Sequence, residues 1–203
     1  LGVVSIIGTA IALRVIFKID MKEEDRHWEA EEKAANHVSI FFHVKVANRA
    51  LEGRSIAAIR AFIDRPFICS RILHEGEISS PNADSLVHVG DVVRVVSAEE
   101  NKDAIVAFFG EENTEVDLAT EHSPITSRNI IITRPEINGQ TIGDLHLSHS
   151  DGVNITRVYR AGMQLFPYQH LHLQMGDQLY CVGPTNSVKR LETRLGNQVK
   201  RLE

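Results

Sequence analysis

GRSIAAIRAFIDRPFICSRILHEGEISSPNADSLVHVGDVVRVVS, residues Gly53 to Ser97, returns 86 residues later as GQTIGDLHLSHSDGVNITRVYRAGMQLFPYQHLHLQMGDQLYCVG, Gly139 to Gly183, with no insertion or deletion. Eight of the 45 aligned positions are identical, where average composition gives roughly 3. They are Gly53/Gly139, Ile56/Ile142, Arg71/Arg157, Gly76/Gly162, Pro81/Pro167, Gly90/Gly176, Asp91/Asp177 and Val96/Val182. Five of these are Gly, Pro or Asp, the residues that let a chain turn. The two stretches therefore share their turns, and the chain reads as a tandem duplication.

Working outward, each copy has the same expected order. Val38, Ile40, Phe42, Val44 and Val46 alternate with Ser39, Phe41, His43, Lys45 and Ala47, a half-buried strand whose counterpart is Asn129 to Thr133. Ser55 or Thr141 is placed to cap a short helix. A strand follows, Phe67 to His74 or Val153 to Arg160, then a tight hairpin at Glu75-Gly76 or Ala161-Gly162 and a short strand ending at Pro81 or Pro167. The last strand, Val92 to Val96 or Gln178 to Val182, leads into an amphipathic helix, Asn101 to Phe109 or Ser187 to Leu195. The expectation is an α+β fold, a tandem repeat of two small β-α-β-β-β-α domains over 37–110 and 127–203. An acidic linker, 111–126, joins them, and a helix and stalk, 1–36, precede them. A unit of about 70 residues is marginal alone, so the copies should pack on each other or on a second chain, as in a homodimer. Strand for strand, they should superpose about a pseudo-twofold axis.

Leu1 to Leu13 carries no charge and is apolar on every helical face, and Arg14 and Lys18 follow it. Charges after the apolar run are the reverse of a secretory signal. They fit the cytoplasmic end of a membrane helix, although a buried helix of a soluble protein has the same look. Asp20-Met21-Lys22-Glu23 has capping-box spacing, and Met21 to Ala35 reads as a solvated stalk with Trp28 as a packing anchor. The basic end, Lys189 to Arg201, is a solvated helix face or the approach to a further membrane segment.

The net charge of −5 argues against non-specific nucleic-acid binding. Two cysteines, Cys69 and Cys181, make no disulfide framework; their repeat partners are Ile155 and Val95, so both read as small buried hydrophobes. No glycine-rich nucleotide loop and no Gly-x-Ser-x-Gly elbow is present. His146, His149, His170 and His172 invite a metal-dependent enzyme, but their partners Arg60, Ile63, Asp84 and Leu86 repeat no such cluster, so solvated histidines are the better reading. Asp91 and Asp177, after glycines at strand starts, are expected to bond turn amides. Arg71 and Arg157 sit among apolar neighbours. Each needs a partner, either an internal carboxylate, Asp91 or Asp177, or a bound ligand.

The ordered set Gly139, Thr141, Ile142, Arg157, Gly162, Pro167, Gly176, Asp177, Leu179 and Gly183, with Gly53, Ser55, Ile56, Arg71, Gly76, Pro81, Gly90, Asp91 and Val93, resembles the TrkA-C domain. That domain is the carboxy-terminal lobe of regulators of potassium conductance. The first copy departs at Pro66 and Ser97, where the second has Gly152 and Gly183. Two such domains behind an apolar helix resemble the central cytoplasmic region of aspartate:alanine exchanger family transporters. The resemblance implies a regulatory, non-enzymatic region on the cytoplasmic side of the cell membrane, held there by the N-terminal helix. It implies no catalytic residues, no metal and no cofactor. It further implies a small nucleotide effector such as cyclic di-AMP in a cleft between copies, lined by Asn154, Ile155, Arg157 and Pro167. A soluble subunit gating a potassium channel is the alternative.

Overall fold

The computed structural model describes residues 39–118, 125–147 and 152–196. The N-terminal helix and stalk, Trp28, His149 and the chain beyond Gly196 lie outside them. No described helix is long and apolar enough to cross a membrane.

The first unit runs β1 (Ser39–Val46), β2 (Arg54–Ser55), α1 (Ile56–Phe62), β3 (Ile68–His74), β4 (Glu77–Ser79), β5 (Leu86–Val87), β6 (Val92–Ala98), α2 (Lys102–Phe109) and β7 (Gly110–Glu112). The second runs β8 (Ile125–Ile131), β9 (Asn154–Arg160), β10 (Met163–Leu165), β11 (Gln178–Pro184) and α3 (Thr185–Leu195). One sheet has the order β4-β3-β6-β1-β7 and the other β10-β9-β11-β8. Translated by the 86-residue offset, the first four strands of each sheet carry the same order. Even the small pair β2-β5, which sets Ser55 opposite Leu86, has its counterpart in an isolated bridge between Thr141 and His172.

The alternation of β1 puts Phe42, Val44 and Val46 inward and leaves Phe41 half-exposed. They join Ile56, Ile59, Cys69, Ile72, Val93, Val95, Ile105 and Phe109 in one core. Ile130, Ile155, Val158, Leu179, Cys181, Leu191 and Leu195 anchor the other. Both hairpins turn through two left-handed residues, Glu75-Gly76 and Ala161-Gly162, the backbone twist that matches flanking strands.

Three expectations are corrected. At the place of α1 in the second copy, Ile142 to Leu145, no α-helix forms among the described residues. Ala57 and Ala58 of α1 are replaced there by Gly143 and Asp144, poor helix formers, and only a 3-10 turn forms before His146 closes it at φ 51°. The linker 111–126 is structured at both ends: Glu111 and Glu112 pair with Lys45 and Val44, Leu118 is buried, and Ile125 already belongs to β8. For the same reason the strand expected at Asn129 to Thr133 begins four residues earlier, because Ile125 reaches Pro184 at the far end of β11.

The sheets meet through reciprocal contacts. Phe166, which follows β10, is buried in a cluster with Ile68 and Val96 of the first unit. At the equivalent place Ser80, which follows β4, donates to the Gly152 carbonyl at 2.7 Å, and the Asn154 amide donates to the Pro81 carbonyl at 2.9 Å. Ile68 and Asn154, like Ser80 and Phe166, are one offset apart. This is the form of an isologous interface, in which each partner offers the same patch.

Candidate ligand site between the two sheets

The site begins with one extra residue in each long strand. The register of β3 on β6 shifts between Cys69 and Arg71, and that of β9 on β11 shifts between Ile155 and Arg157. The bulged residues, Ser70 and Thr156, are repeat partners, and each hydroxyl donates to a carbonyl of the neighbouring strand, Arg94 at 3.3 Å and Tyr180 at 3.1 Å. A regular strand would put Arg71 on the face of Cys69 and Arg157 on that of Ile155, in the cores. The bulge turns both guanidiniums over into the space between the sheets.

That space is a cavity of about 160 Å³. Phe41, Ser70, Arg71, Arg94 and Val96 line it from the first unit, and Ser127, Thr156, Arg157, Tyr180, Cys181 and Val182 from the second. Arg71 is buried and donates to Ser127 Oγ at 3.3 Å. Arg94 and Arg157 lie over the Phe41 ring, 4.4 and 5.8 Å from its centroid, the cation–π arrangement. Arg94 Nη1 also approaches Asp117 Oδ1 at 3.5 Å. Desolvation pulls the Arg71 and Arg94 guanidiniums below the usual arginine value, and Arg71 and Arg157 add repulsion at Arg94. His43 is likewise held low, by burial first and then by Arg94.

Neither Arg71 nor Arg157 pairs with the turn carboxylates. Asp177 is closed by Arg160, with Nε–Oδ1 and Nη2–Oδ2 both 2.8 Å, and Asp91 by His74, with Nδ1–Oδ1 at 2.6 Å. His74 and Arg160 are repeat partners at the ends of β3 and β9. The bulge explains the correction, since it aims Arg71 and Arg157 at the cleft and leaves the carboxylates to the residues three places on. The expected turn role of the aspartates is present: each second oxygen accepts an amide, His88 N or Gln174 N, at 2.8 Å.

The four residues expected to bind a nucleotide fall in two places. Asn154, Ile155 and Pro167 line a recess of about 30 Å³ with Arg60 and Ile68, room for little more than one or two waters. The Asn154 amide is already engaged, and Ile155 belongs to the core. Arg157 stands apart in the larger cavity. Sequence reasoning passed over Arg94, although a lone cation within Val92-Val93-Arg94-Val95-Val96 is a signal, and over Phe41 and Ser127, which reach the cleft only through the docking of the sheets. Of the histidines, His170 stacks on Tyr168 at 5.3 Å, and the His172 carbonyl accepts from Arg160. Among the described residues no three of His, Cys, Asp and Glu gather as metal ligands. Burial pushes the thiols of Cys69 and Cys181 up to about 12, which keeps them protonated and inert.

Residues 131–196, the stretch that carries β9 to α3 and the second half of the cavity, match the family of TrkA-C domains. They are a TrkA-C domain. The whole chain is similar to an uncharacterized transporter of Bacteroides thetaiotaomicron, 42% identical over 203 residues and covering 100% of this chain and 36% of that protein. It is also similar to one of Porphyromonas gingivalis, 33% identical over 204 residues and covering 98% of this chain and 36% of that protein. The chain thus spans just over a third of the length of these relatives. Among solved structures it is similar to the GsuK RCK domain, at TM-score 0.36 and 8% identity over 80% of this chain and 64% of that one. A second similarity is to S. agalactiae BusR in complex with its busA-promotor DNA, at TM-score 0.32 and 23% identity over 47% of each chain. The architecture of the TrkA-C domain here rests on its own strand order.

Proposed function

We propose that this chain is the cytoplasmic ligand-sensing region of a membrane transporter of the aspartate:alanine exchanger type, built as two TrkA-C units and working without catalysis. The observation that supports it most is the end-to-end similarity to transporters of which the chain covers 36%, together with the TrkA-C domain at 131–196. The effector is a small nucleotide such as cyclic di-AMP, and the region works as a homodimer anchored through the N-terminal helix. In the closed arrangement the Asn154–Pro81 and Ser80–Gly152 hydrogen bonds hold the two units together and engage the Asn154 amide. A nucleotide reaching Asn154, Ile155, Arg157 and Pro167 together has to part the two sheets. Only a ligand that binds the parted form better than the closed one shifts their balance.

The test is transport by the full-length transporter in liposomes, with cyclic di-AMP supplied to the face that carries this region. The expected result is a change in transport rate that disappears when 39–196 are deleted, with basal transport retained. A response that survives the deletion would overturn the proposal.

A further inference from the structure

Three cations around one cavity are an uncommon arrangement unless something anionic joins them. Arg71 is buried, and among the described residues its side-chain hydrogen bond in the cleft is the 3.3 Å contact to Ser127. Among the described residues Arg157 Nε is buried without a hydrogen-bond partner, and buried Arg94 Nη1 has only the 3.5 Å ion-pair approach of Asp117. Unmet donors on charged groups are costly in a dry site. The facing charges do not cancel: Asp117, itself 55% exposed, is set against three guanidiniums and contacts Arg94 and His43. His43 is pushed down by burial and then by Arg94, and its Nε2 accepts the Leu118 amide at 3.3 Å. Among the described residues two positive charges remain in excess. The hydroxyls of Ser70, Thr156 and Ser127 supply further polar lining.

Size decides the class of ligand. A cavity of about 160 Å³ is comparable to an engineered cavity of about 150 Å³ that takes one benzene, and below the roughly 300–1,000 Å³ of pockets for drug-sized ligands. A whole dinucleotide does not fit, whereas one tetrahedral oxyanion does. Guanidinium forks match such an anion with paired hydrogen bonds.

We propose that the cavity binds a single oxyanion of the phosphate class, either inorganic phosphate or the phosphoryl end of a nucleotide, held by Arg71 and Arg94 of one unit and Arg157 of the other. The anion acts as a charged cross-link between the sheets and favours their closed arrangement. This goes beyond the transporter reading and does not depend on it.

The test is calorimetric titration of this chain with inorganic phosphate at an ionic strength fixed by chloride, beside AMP and cyclic di-AMP, with melting curves. Phosphate should bind saturably at one site and raise the melting temperature. Arg94→Gln should weaken binding at least tenfold without lowering the melting temperature in phosphate-free buffer, because it removes one charge from a self-repelling set. If Arg94→Gln does not fold, Arg157→Gln, at a half-buried position, carries the same expectation. AMP competing with phosphate assigns the phosphoryl end of a nucleotide; phosphate binding that AMP cannot displace assigns the free ion. No phosphate response beyond chloride overturns the proposal, as does a variant that melts lower while binding phosphate normally. Cyclic di-AMP binding without phosphate binding also overturns it, and leaves the transporter reading standing.

Discussion

Arg160 and His74 stand at the same place in the two units, each against a buried aspartate, and the difference between them is measurable. Arg160→Ala strands the carboxylate of Asp177, which is 1% exposed. Removing one member of a buried pair costs about 3–5 kcal/mol. Arg157 pairs with no carboxylate among the described residues, so Arg157→Ala should cost less than about 1 kcal/mol. Urea unfolding of the two variants separates them, and equal losses would contradict the pairing. In the first unit the same bond is titratable. Its hydrogen bond to Asp91 raises His74 above the ordinary histidine value, helped by the charges of Asp91, Glu75 and Glu52. A folded value above the unfolded one means that this stabilisation is complete below about pH 6.5 and is lost as pH rises through the elevated value. His74→Arg copies the second unit's pair and should remove that loss. Melting temperatures of both proteins from mildly acidic to alkaline pH check this. His43, shifted the opposite way, is present in both and cancels from the comparison.

Among the elements, the pairs that close the long strands show how one substitution propagates. In the first unit the Ser97 hydroxyl donates to the Pro66 carbonyl at 2.6 Å. In the second, a Cβ on Gly183 would stand 2.9 Å from the Gly152 carbonyl, which already accepts from Ser80. Gly183→Ser therefore forces a backbone shift at the interface, an overpacking change of about 1–3 kcal/mol. Denaturation should show that loss, and exchange of the amides around Gly152 should quicken. Both glycines are visible in the sequence as the points where the copies diverge, as are the hairpins, the strand order and the turn role of Asp91 and Asp177, because each rests on local backbone chemistry. The bulges are not. Their only trace is the broken alternation of Asn154, Ile155, Thr156, Arg157 and Val158, and a period of two cannot say where the extra residue sits. That one unreadable step left open whether Arg157 meets Asp177 or a ligand. It also hid the arginine cavity, which exists only once two distant strands face each other.

At the scale of the whole molecule, the described residues already give each unit a buried core, with Phe42 and Ile130 anchoring the first strand of each. Deleting residues 1–18 should therefore leave a cooperative thermal transition, and a broad, non-cooperative melt would show that those residues belong to the cores. The reciprocal docking of the sheets has a consequence for temperature. Phe166 grips Ile68 and Val96 by apolar packing, beside one long 3.4 Å hydrogen bond from Gln164 to the Ser39 carbonyl, whereas Ser80 and Asn154 hold the opposite end by shorter hydrogen bonds. Apolar attraction weakens on cooling, and the hydrogen bonds lack that dependence. Chilling thus slackens one side of the clamp and spares the other, and a grip that is symmetrical in outline becomes a hinge in the cold.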